Sequence, residues 1–204
     1  RLLSAHSRWR LHLFFTDSLH VTIGVAAVDN SAADAIGIPR LKMPGTAPSR
    51  STLKLDEAIR WFLSAYQQSR LFRSGMAAVD LGAAPGGWSW QLVQRGCLVT
   101  AIDNGPMQDE LMKSGMVEHL RTDAFTFVPE KKVDWLVCDM AERPLHVSRL
   151  IARWLANKQC SNAIFNLKLP MKKRLASVQE CISLIEQELT RANIGHRTLA
   201  KQLY

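Results

Sequence analysis

The chain has 204 residues, 47% of them hydrophobic, and this content supports a sizeable core and excludes a disordered chain. Its 26 Lys and Arg residues exceed its 18 Asp and Glu residues and give a net charge of +8, which favours a polyanionic partner such as RNA, DNA or a membrane surface. The four cysteines stand singly, and neither a membrane-spanning apolar run nor a signal peptide is present, so we expect a cytoplasmic protein with free thiols, without a metal site or a membrane anchor.

The first 45 residues are organised differently from the rest of the chain. Residues 12–15 and 20–28 have the composition of strands, whereas 31–35 and 43–48 are rich in small residues, Gly and Pro, which predicts loop or linker. We interpret residues 1–45 as the end of an upstream domain plus a linker, and 46–204 as a second domain.

After residue 52 the apolar pattern alternates between strand and helix. We predict helices at 53–72, 89–95, 145–156 and 175–192, and strands at 76–81, 98–102, 117–120, 133–138, 163–167 and 196–203. Such alternation implies an α/β fold with a mostly parallel sheet and helices on both faces. Ligands of these sheets bind beyond the carboxyl ends of the strands, so residues that follow strands are the candidates for function.

The most informative motif follows the first of these strands and reads Asp80-Leu81-Gly82-Ala83-Ala84-Pro85-Gly86-Gly87-Trp88. Glycines without a Cβ allow a tight turn and a close approach to a ligand, and the helix that follows presents unpaired N–H groups. Pro85 has no backbone N–H, so the turn has one hydrogen-bond donor fewer and is poorly suited to binding a pyrophosphate. Asp80 places a carboxylate near the turn, so a cationic ligand fits better than a dinucleotide, and S-adenosyl-L-methionine carries a sulfonium and an ammonium.

Two further aspartates follow later strands. Asp103 is placed to accept the hydroxyls of an adenosine ribose, and Asp123 is placed where an adenine amino group could be bound. A solvated loop aspartate or a helix cap would have the same local pattern. Their positions after successive strands favour the ligand-binding interpretation.

A second group of residues suggests chemistry. Asp139 directly follows an apolar strand, and Lys168 lies in an otherwise apolar segment, where an unpaired ammonium is costly. We expect Lys168 to pair with Asp139 across neighbouring strands, although a lysine at a strand end can also extend to solvent. Lys54, at the start of a helix, would by itself be read as a solvent-facing residue.

Basic residues near these positions suggest contacts with phosphates. The segment Lys172-Lys173-Arg174 lies just beyond Lys168, and Arg50, Arg40 and Lys42 could extend the same surface. For any one of them a solvated side chain explains the pattern equally well. Trp88 and Trp90 could stack on a base, but we favour core packing for both.

Four segments together resemble the FtsJ-type ribose 2′-O-methyltransferases, and within them the bacterial enzymes that act on a cytidine of 23S ribosomal RNA. The segments are 80–88, 103–107, 137–140 and 165–174, and the resemblance covers about 49–204. It implies a Rossmann-like fold that uses S-adenosyl-L-methionine, with 23S ribosomal RNA as the partner. It also implies that residues 1–45 are the remnant of a THUMP-type RNA-binding domain. We also expect a monomer.

The resemblance further implies roles for single residues. Lys54, Asp139 and Lys168 correspond to members of a Lys-Asp-Lys-Glu tetrad, with Lys168 as the proton acceptor. The implied cofactor contacts are Ser51, Ala84, Pro85, Gly86, Gly87, Asp103, Asp123 and Asp139. The tetrad glutamate should follow the last strand, so we expect it beyond Tyr204 and expect the fragment to bind cofactor while being catalytically impaired.

Three other classes can be weighed against this one. An RNA-binding module with a vestigial cofactor fold would keep the basic surface, but it would not need Lys168 beside Asp139. A nicotinamide oxidoreductase would need a dinucleotide fingerprint, into which Pro85 fits badly. Enzymes that methylate base amino groups commonly carry an Asn/Asp-Pro-Pro-aromatic motif where this chain has Asp139-Met140-Ala141-Glu142.

Overall fold

A computed structural model describes residues 7–31, 34 and 37–203, and the chain divides into two compact units between Leu41 and Lys42. In the first unit, β1 (Trp9–Phe15) and β2 (Val21–Ala27) form an antiparallel hairpin, followed by a 3-10 turn at Val28–Asn30. The predicted loop at 31–35 lies partly outside the described residues. The domain boundary predicted after residue 45 stays a prediction.

One face of this hairpin is apolar along its whole length. Alternate residues of a strand share a face, and directly opposite residues lie side by side. The cross-strand pairs on this face are Trp9 with Ala27, Leu11 with Val25, Leu13 with Ile23, and Phe15 with Val21. All four β1 side chains of the set are more than half exposed. An isolated two-stranded hairpin is marginally stable in water, so this face is suited to being covered.

The second unit is built around a parallel five-stranded sheet, which confirms the predicted α/β fold. Its strands are β3 (Ala77–Leu81), β4 (Leu98–Ile102), β5 (Val117–Leu120), β6 (Val133–Cys138) and β7 (Cys160–Phe165), in the spatial order β5-β4-β3-β6-β7. The helices are α1 (Thr52–Phe62), α2 (Ala65–Leu71), α3 (Gly87–Val93), α4 (Asp109–Met112), α5 (Pro144–Ala156) and α6 (Arg174–Arg191). The strand order reverses between β3 and β6, and this switch point is where such folds bind ligands.

Both faces of the sheet are covered, because alternate strand residues enter two different cores. Ala78, Val99 and Val137 pack on one face with residues of α1 and α3, such as Leu55 and Leu92. On the other face Val79, Leu81 and Leu136 pack with Ile151 and Trp154 of α5. Burial on both faces explains why these strands read as continuous apolar runs. Helix α6 packs on the outer side of α5, where Ile185 and Leu189 meet Ala152.

Three predicted elements differ from the structure. The strand predicted at 163–167 is shifted, because β7 spans Cys160–Phe165. The single helix predicted at 53–72 is divided, because Ser64 starts α2 with a capping box in which Gln67 N donates to Ser64 Oγ (3.3 Å) and Ser64 N donates to Gln67 Oε1 (2.9 Å). The strand predicted at 196–203 is wrong, since these residues pair with no neighbouring strand. Side chains hold this segment instead: the Lys201 ammonium lies 3.8 Å from the ring centroid of Trp61, and Leu203 packs against the first core.

Candidate functional site

Most of the predicted site residues lie just beyond the carboxyl ends of β3, β4, β6 and β7, on the same side of the sheet. The turn after β3 spans 82–86, Asp103 follows β4, Asp139 follows β6, and Asn166 follows β7. Helix α1 begins at Thr52 and carries Lys54 in its first turn. Parallel strands end on the same side, so this convergence follows from the topology.

The glycine turn is shaped by protein packing. Gly82 and Gly86 have φ values of +76° and +114°, in the left-handed region that glycine tolerates. A Cβ on Gly82 would collide with the side chain of Met140, and one on Gly87 would collide with Ser51 Oγ. The glycines therefore leave space for neighbouring residues of the chain. The sequence had suggested only that they leave space for a ligand.

Asp80 is the buried acidic group at the foot of this turn. Ser89 Oγ donates a 2.7 Å hydrogen bond to Asp80 Oδ2, whereas Asp80 Oδ1 is buried and has no hydrogen-bond partner among the described residues. Burial raises the pKa of the Asp80 carboxyl from 3.8 to about 7; the hydrogen bonds from Ser89 act in the opposite direction, and the charges of Asp139 and Asp103 add to the rise. An unsatisfied carboxylate oxygen is costly, and an ammonium donor would satisfy it. These features fit a cationic ligand such as S-adenosyl-L-methionine.

Asp103 holds the glycine turn in place. Ala84 N donates to Asp103 Oδ2 at 3.0 Å, and Gly105 N donates to Asp103 Oδ1 at 2.7 Å. Each carboxylate oxygen has two acceptor sites, so both keep one for a ligand. The predicted ribose contact stays a prediction, but the structure adds a second role, which is to orient the turn.

Asp123 lies in an exposed turn after β5. Its Oδ1 accepts a hydrogen bond from Phe125 N at 2.9 Å, the local capping geometry that the sequence left open. Its predicted contact with the adenine stays a prediction.

The best-defined polar cluster at the carboxyl ends of the strands consists of Lys54, Asp139 and Asn166. Lys54 Nζ lies 3.1 and 3.0 Å from the two carboxylate oxygens of Asp139, and Asn166 Nδ2 donates to Asp139 Oδ1 at 2.8 Å. The Asp139 side chain is only 12% exposed, so three charged or polar hydrogen bonds compensate its burial. The sequence analysis did not identify Asn166 as a site residue. The pattern that identified Asp139, a polar residue directly after an apolar strand, applies to Asn166 as well.

The predicted ion pair between Lys168 and Asp139 is absent from the part of the chain that the structure describes. Strand β7 ends at Phe165, so Asn166 takes the position beside Asp139 and Lys168 lies two residues further on. Lys168 is exposed, and no carboxylate lies within ion-pair distance of it among the described residues. Its role as proton acceptor stays a prediction.

The segment before α1 packs on the glycine turn. The hydroxyls of Ser49 and Ser51 lie 2.7 Å apart, and Trp88 Nε1 donates to the Ser51 carbonyl at 3.0 Å. Trp88 is buried in the first core and Trp90 packs partly buried against it, which confirms the interpretation of core packing. Ser51 is thus adjacent to the turn, as a cofactor contact would require.

The predicted phosphate-binding residues Arg50, Lys172, Lys173 and Arg174 are all exposed. Lys173 has φ of +57° and directly precedes α6, and Arg174 Nε donates to the Pro170 carbonyl at 3.4 Å. The segment therefore presents its cations to solvent close to Lys168. Within the described residues, no group of three or more His, Cys, Asp or Glu side chains could hold a metal ion, and no helix is long and apolar enough to cross a membrane.

Sequence comparisons found a family model and relatives that are similar to this chain. A family model described as FtsJ-like methyltransferase matches residues 47–190. The chain is 51% identical over 204 residues to "Ribosomal RNA large subunit methyltransferase M" of Cellvibrio japonicus and 53% identical over 195 residues to the protein of that name from an Azoarcus species. These matches cover 100% and 95% of this chain but only 58% and 53% of the relatives, so the chain spans little more than half of their length.

A solved structure shows a similar fold. A putative hemolysin from Lactococcus lactis superposes with a TM-score of 0.55 at 18% identity, covering 73% of this chain and 77% of the other. At that identity the likeness concerns the fold alone.

Proposed function

Since the chain belongs to the FtsJ-like methyltransferase family, we propose that it transfers a methyl group from S-adenosyl-L-methionine to a ribose 2′-hydroxyl of a cytidine in 23S ribosomal RNA. The observation that carries this proposal is the cluster of Lys54, Asp139 and Asn166, which lies at the switch point of the sheet. The names of the two relatives refer to RNA of the large ribosomal subunit and support the substrate class.

The residues around the glycine turn fit the cofactor. Within the described part of the chain, Asp80 Oδ1 is a buried acceptor without a partner and is suited to an ammonium. Asp103 keeps acceptor sites for ribose hydroxyls. The other residues proposed to hold the cofactor are Ser51, Ala84, Pro85, Gly86, Gly87, Asp123 and Asp139. When bound, S-adenosyl-L-methionine supplies an electrophilic methyl group on a sulfonium.

The residues of the chain then position the RNA hydroxyl and accept its proton. Lys54 and Asn166 fix the Asp139 carboxylate, which can orient an amine or a hydroxyl beside it. Lys168 is proposed to take the proton from the 2′-hydroxyl. Only the neutral amine can accept this proton. Arg50, Lys172, Lys173 and Arg174 would hold the neighbouring phosphates.

The proposal can be tested in cells, where the gene product has its full length. Ribosomal RNA from cells that lack the gene should lose one cytidine 2′-O-methylation in 23S RNA, and the intact gene should restore it. A gene carrying Lys168→Ala should fail, whereas Lys131→Ala, an exposed lysine near the amino end of β6, should succeed. Full restoration by Lys168→Ala would remove Lys168 from the mechanism, and unchanged methylation in the deletion strain would refute the activity.

A second candidate is an RNA-binding module whose cofactor fold is vestigial. It is favoured by one observation: Lys168 is exposed and makes no ion pair with Asp139 among the described residues. Titration calorimetry of the purified chain with S-adenosyl-L-methionine separates the two functions. Saturable binding that Asp80→Ala abolishes supports the methyltransferase, and absence of binding supports the module.

A further inference from the structure

Helix α5 carries a row of basic side chains away from the residues assigned above. His146, Arg149 and Arg153 are all exposed, and they follow one another at spacings of three and four residues, which places them on one face of the helix. The helix contains no acidic residue. We call these three side chains the α5 stripe.

A cleft of about 240 Å³ lies beside the α5 stripe. It is lined by Phe125, His146, Arg149, Leu150 and Arg153. An Nη of Arg153 donates to the Phe125 carbonyl, and the rings of Phe125 and His146 have centroids 5.8 Å apart. Arg153 and His146 are therefore both restrained by the turn after β5, so they lose less conformational freedom when they bind a ligand.

The charges of the α5 stripe are not neutralised by ion pairs within the described residues, since none of its members has a carboxylate partner. Glu142 precedes α5 and Asp123 lies two residues before Phe125 of the cleft, and both accept backbone hydrogen bonds: Glu142 from Arg143 N at 2.7 Å, and Asp123 from Phe125 N at 2.9 Å. The stripe is thus a cationic surface whose donors, apart from the one that Arg153 gives to Phe125, are open to an external anion.

The α5 stripe follows the site residue Asp139 closely in the chain. Helix α5 begins five residues after Asp139, and the stripe runs seven residues along it, about 10 Å at 1.5 Å per residue. Ala152, Leu155 and Ala156 of α5 pack with α6, whereas the three stripe residues stay exposed. An RNA strand that leaves the site along α5 would meet His146, Arg149 and Arg153 in succession.

We propose that the α5 stripe and its cleft bind the phosphate backbone of the RNA that flanks the target ribose. This surface is separate from the basic segment 168–174, and the inference rests on the proposed function. Arginine side chains hold phosphate through paired N–H donors, and a row of such contacts binds RNA without reading its bases. The uncompensated positive charge of the stripe matches a polyanion.

The test measures the affinity of the purified chain for a fluorescein-labelled single-stranded RNA by fluorescence anisotropy at several salt concentrations. Arg149→Ala should weaken binding about tenfold, because one charge-assisted contact is lost. It should also reduce the slope of log affinity against log salt by about 0.7, the value for one phosphate contact of a single strand. Arg149→Lys should keep the slope and lose only part of the affinity, since it keeps the charge without the paired donors.

The matched control is Arg73→Ala, which removes an exposed arginine just before the amino end of β3, whereas the site residues follow the carboxyl ends of the strands. Its affinity and slope should equal those of the unaltered chain. Equal values for Arg149→Ala and Arg73→Ala would overturn the proposed surface, and so would lack of RNA binding by the unaltered chain. Cofactor binding by calorimetry is measured on the same samples. If it is absent while Arg149→Ala still weakens RNA binding, the methyl transfer proposal fails and the RNA surface stands.

Discussion

Replacement of the buried carboxylate at the foot of the glycine turn should change how stability depends on pH. Burial raises the pKa of Asp80 in the folded chain to about 7, from an ordinary value of 3.8. The unfolded chain therefore loses this proton first. The resulting penalty on the folded state is absent below pH 4, grows as the pH rises towards 7, and is constant above it.

The size of this effect follows from the shift of about three pKa units, which corresponds to a penalty on the order of 4 kcal/mol at high pH. Between pH 5 and pH 8 the penalty should grow by about 2 to 3 kcal/mol. Asp80→Asn cannot ionise, so its free energy of unfolding relative to that of the unaltered chain should increase by this amount over the same interval. A constant offset from lost or gained hydrogen bonds does not affect the difference between the two pH values.

Urea unfolding at a series of pH values measures this quantity. Ser89→Ala is the matched variant, because it removes the hydrogen bond that lowers the pKa of Asp80 and should move the end of the transition to higher pH. Parallel pH profiles for Asp80→Asn and the unaltered chain would refute the assignment of a raised pKa to this carboxyl.

Three further predictions concern other parts of the chain. Asn166→Ala should lower the kcat of methyl transfer about tenfold with little change in cofactor affinity, because one hydrogen bond that orients Asp139 is lost; a change confined to KM would contradict this reason. Trp154→Ala should lower the free energy of unfolding by about 3 to 5 kcal/mol in urea titrations, since this side chain is fully buried in the second core, while Tyr66→Ala on the surface should have little effect. Removal of residues 1–41 should reduce the fluorescence of a bound apolar dye, because the uncovered apolar face of the hairpin is removed; unchanged dye binding would place the exposed apolar surface elsewhere.

Much of the sheet could be predicted because strands buried on both faces are short apolar runs between turn signals. The bounds of β4, β5 and β6 agree with those predicted from the sequence. The errors occurred where local pattern was ambiguous. Residues 196–203 have strand-like composition, but a strand exists only where another strand pairs with it, and the composition of one segment cannot show its neighbour. The break before Ser64 could have been found from its Ser-x-x-Gln capping signature.

The sequence by itself determined the class of the fold, the glycine turn and the identity of the carboxylates that follow the strands. These depend on local properties: apolar periodicity, backbone freedom and the side chains available. Only the tertiary structure decided which groups meet. Asp139 takes its partners from Lys54, 85 positions away, and Asn166, 27 positions away, and leaves Lys168 exposed. The order of the strands and the exact end of β7 decide these contacts, because one or two residues beyond a strand end change which side chain faces the neighbouring strand.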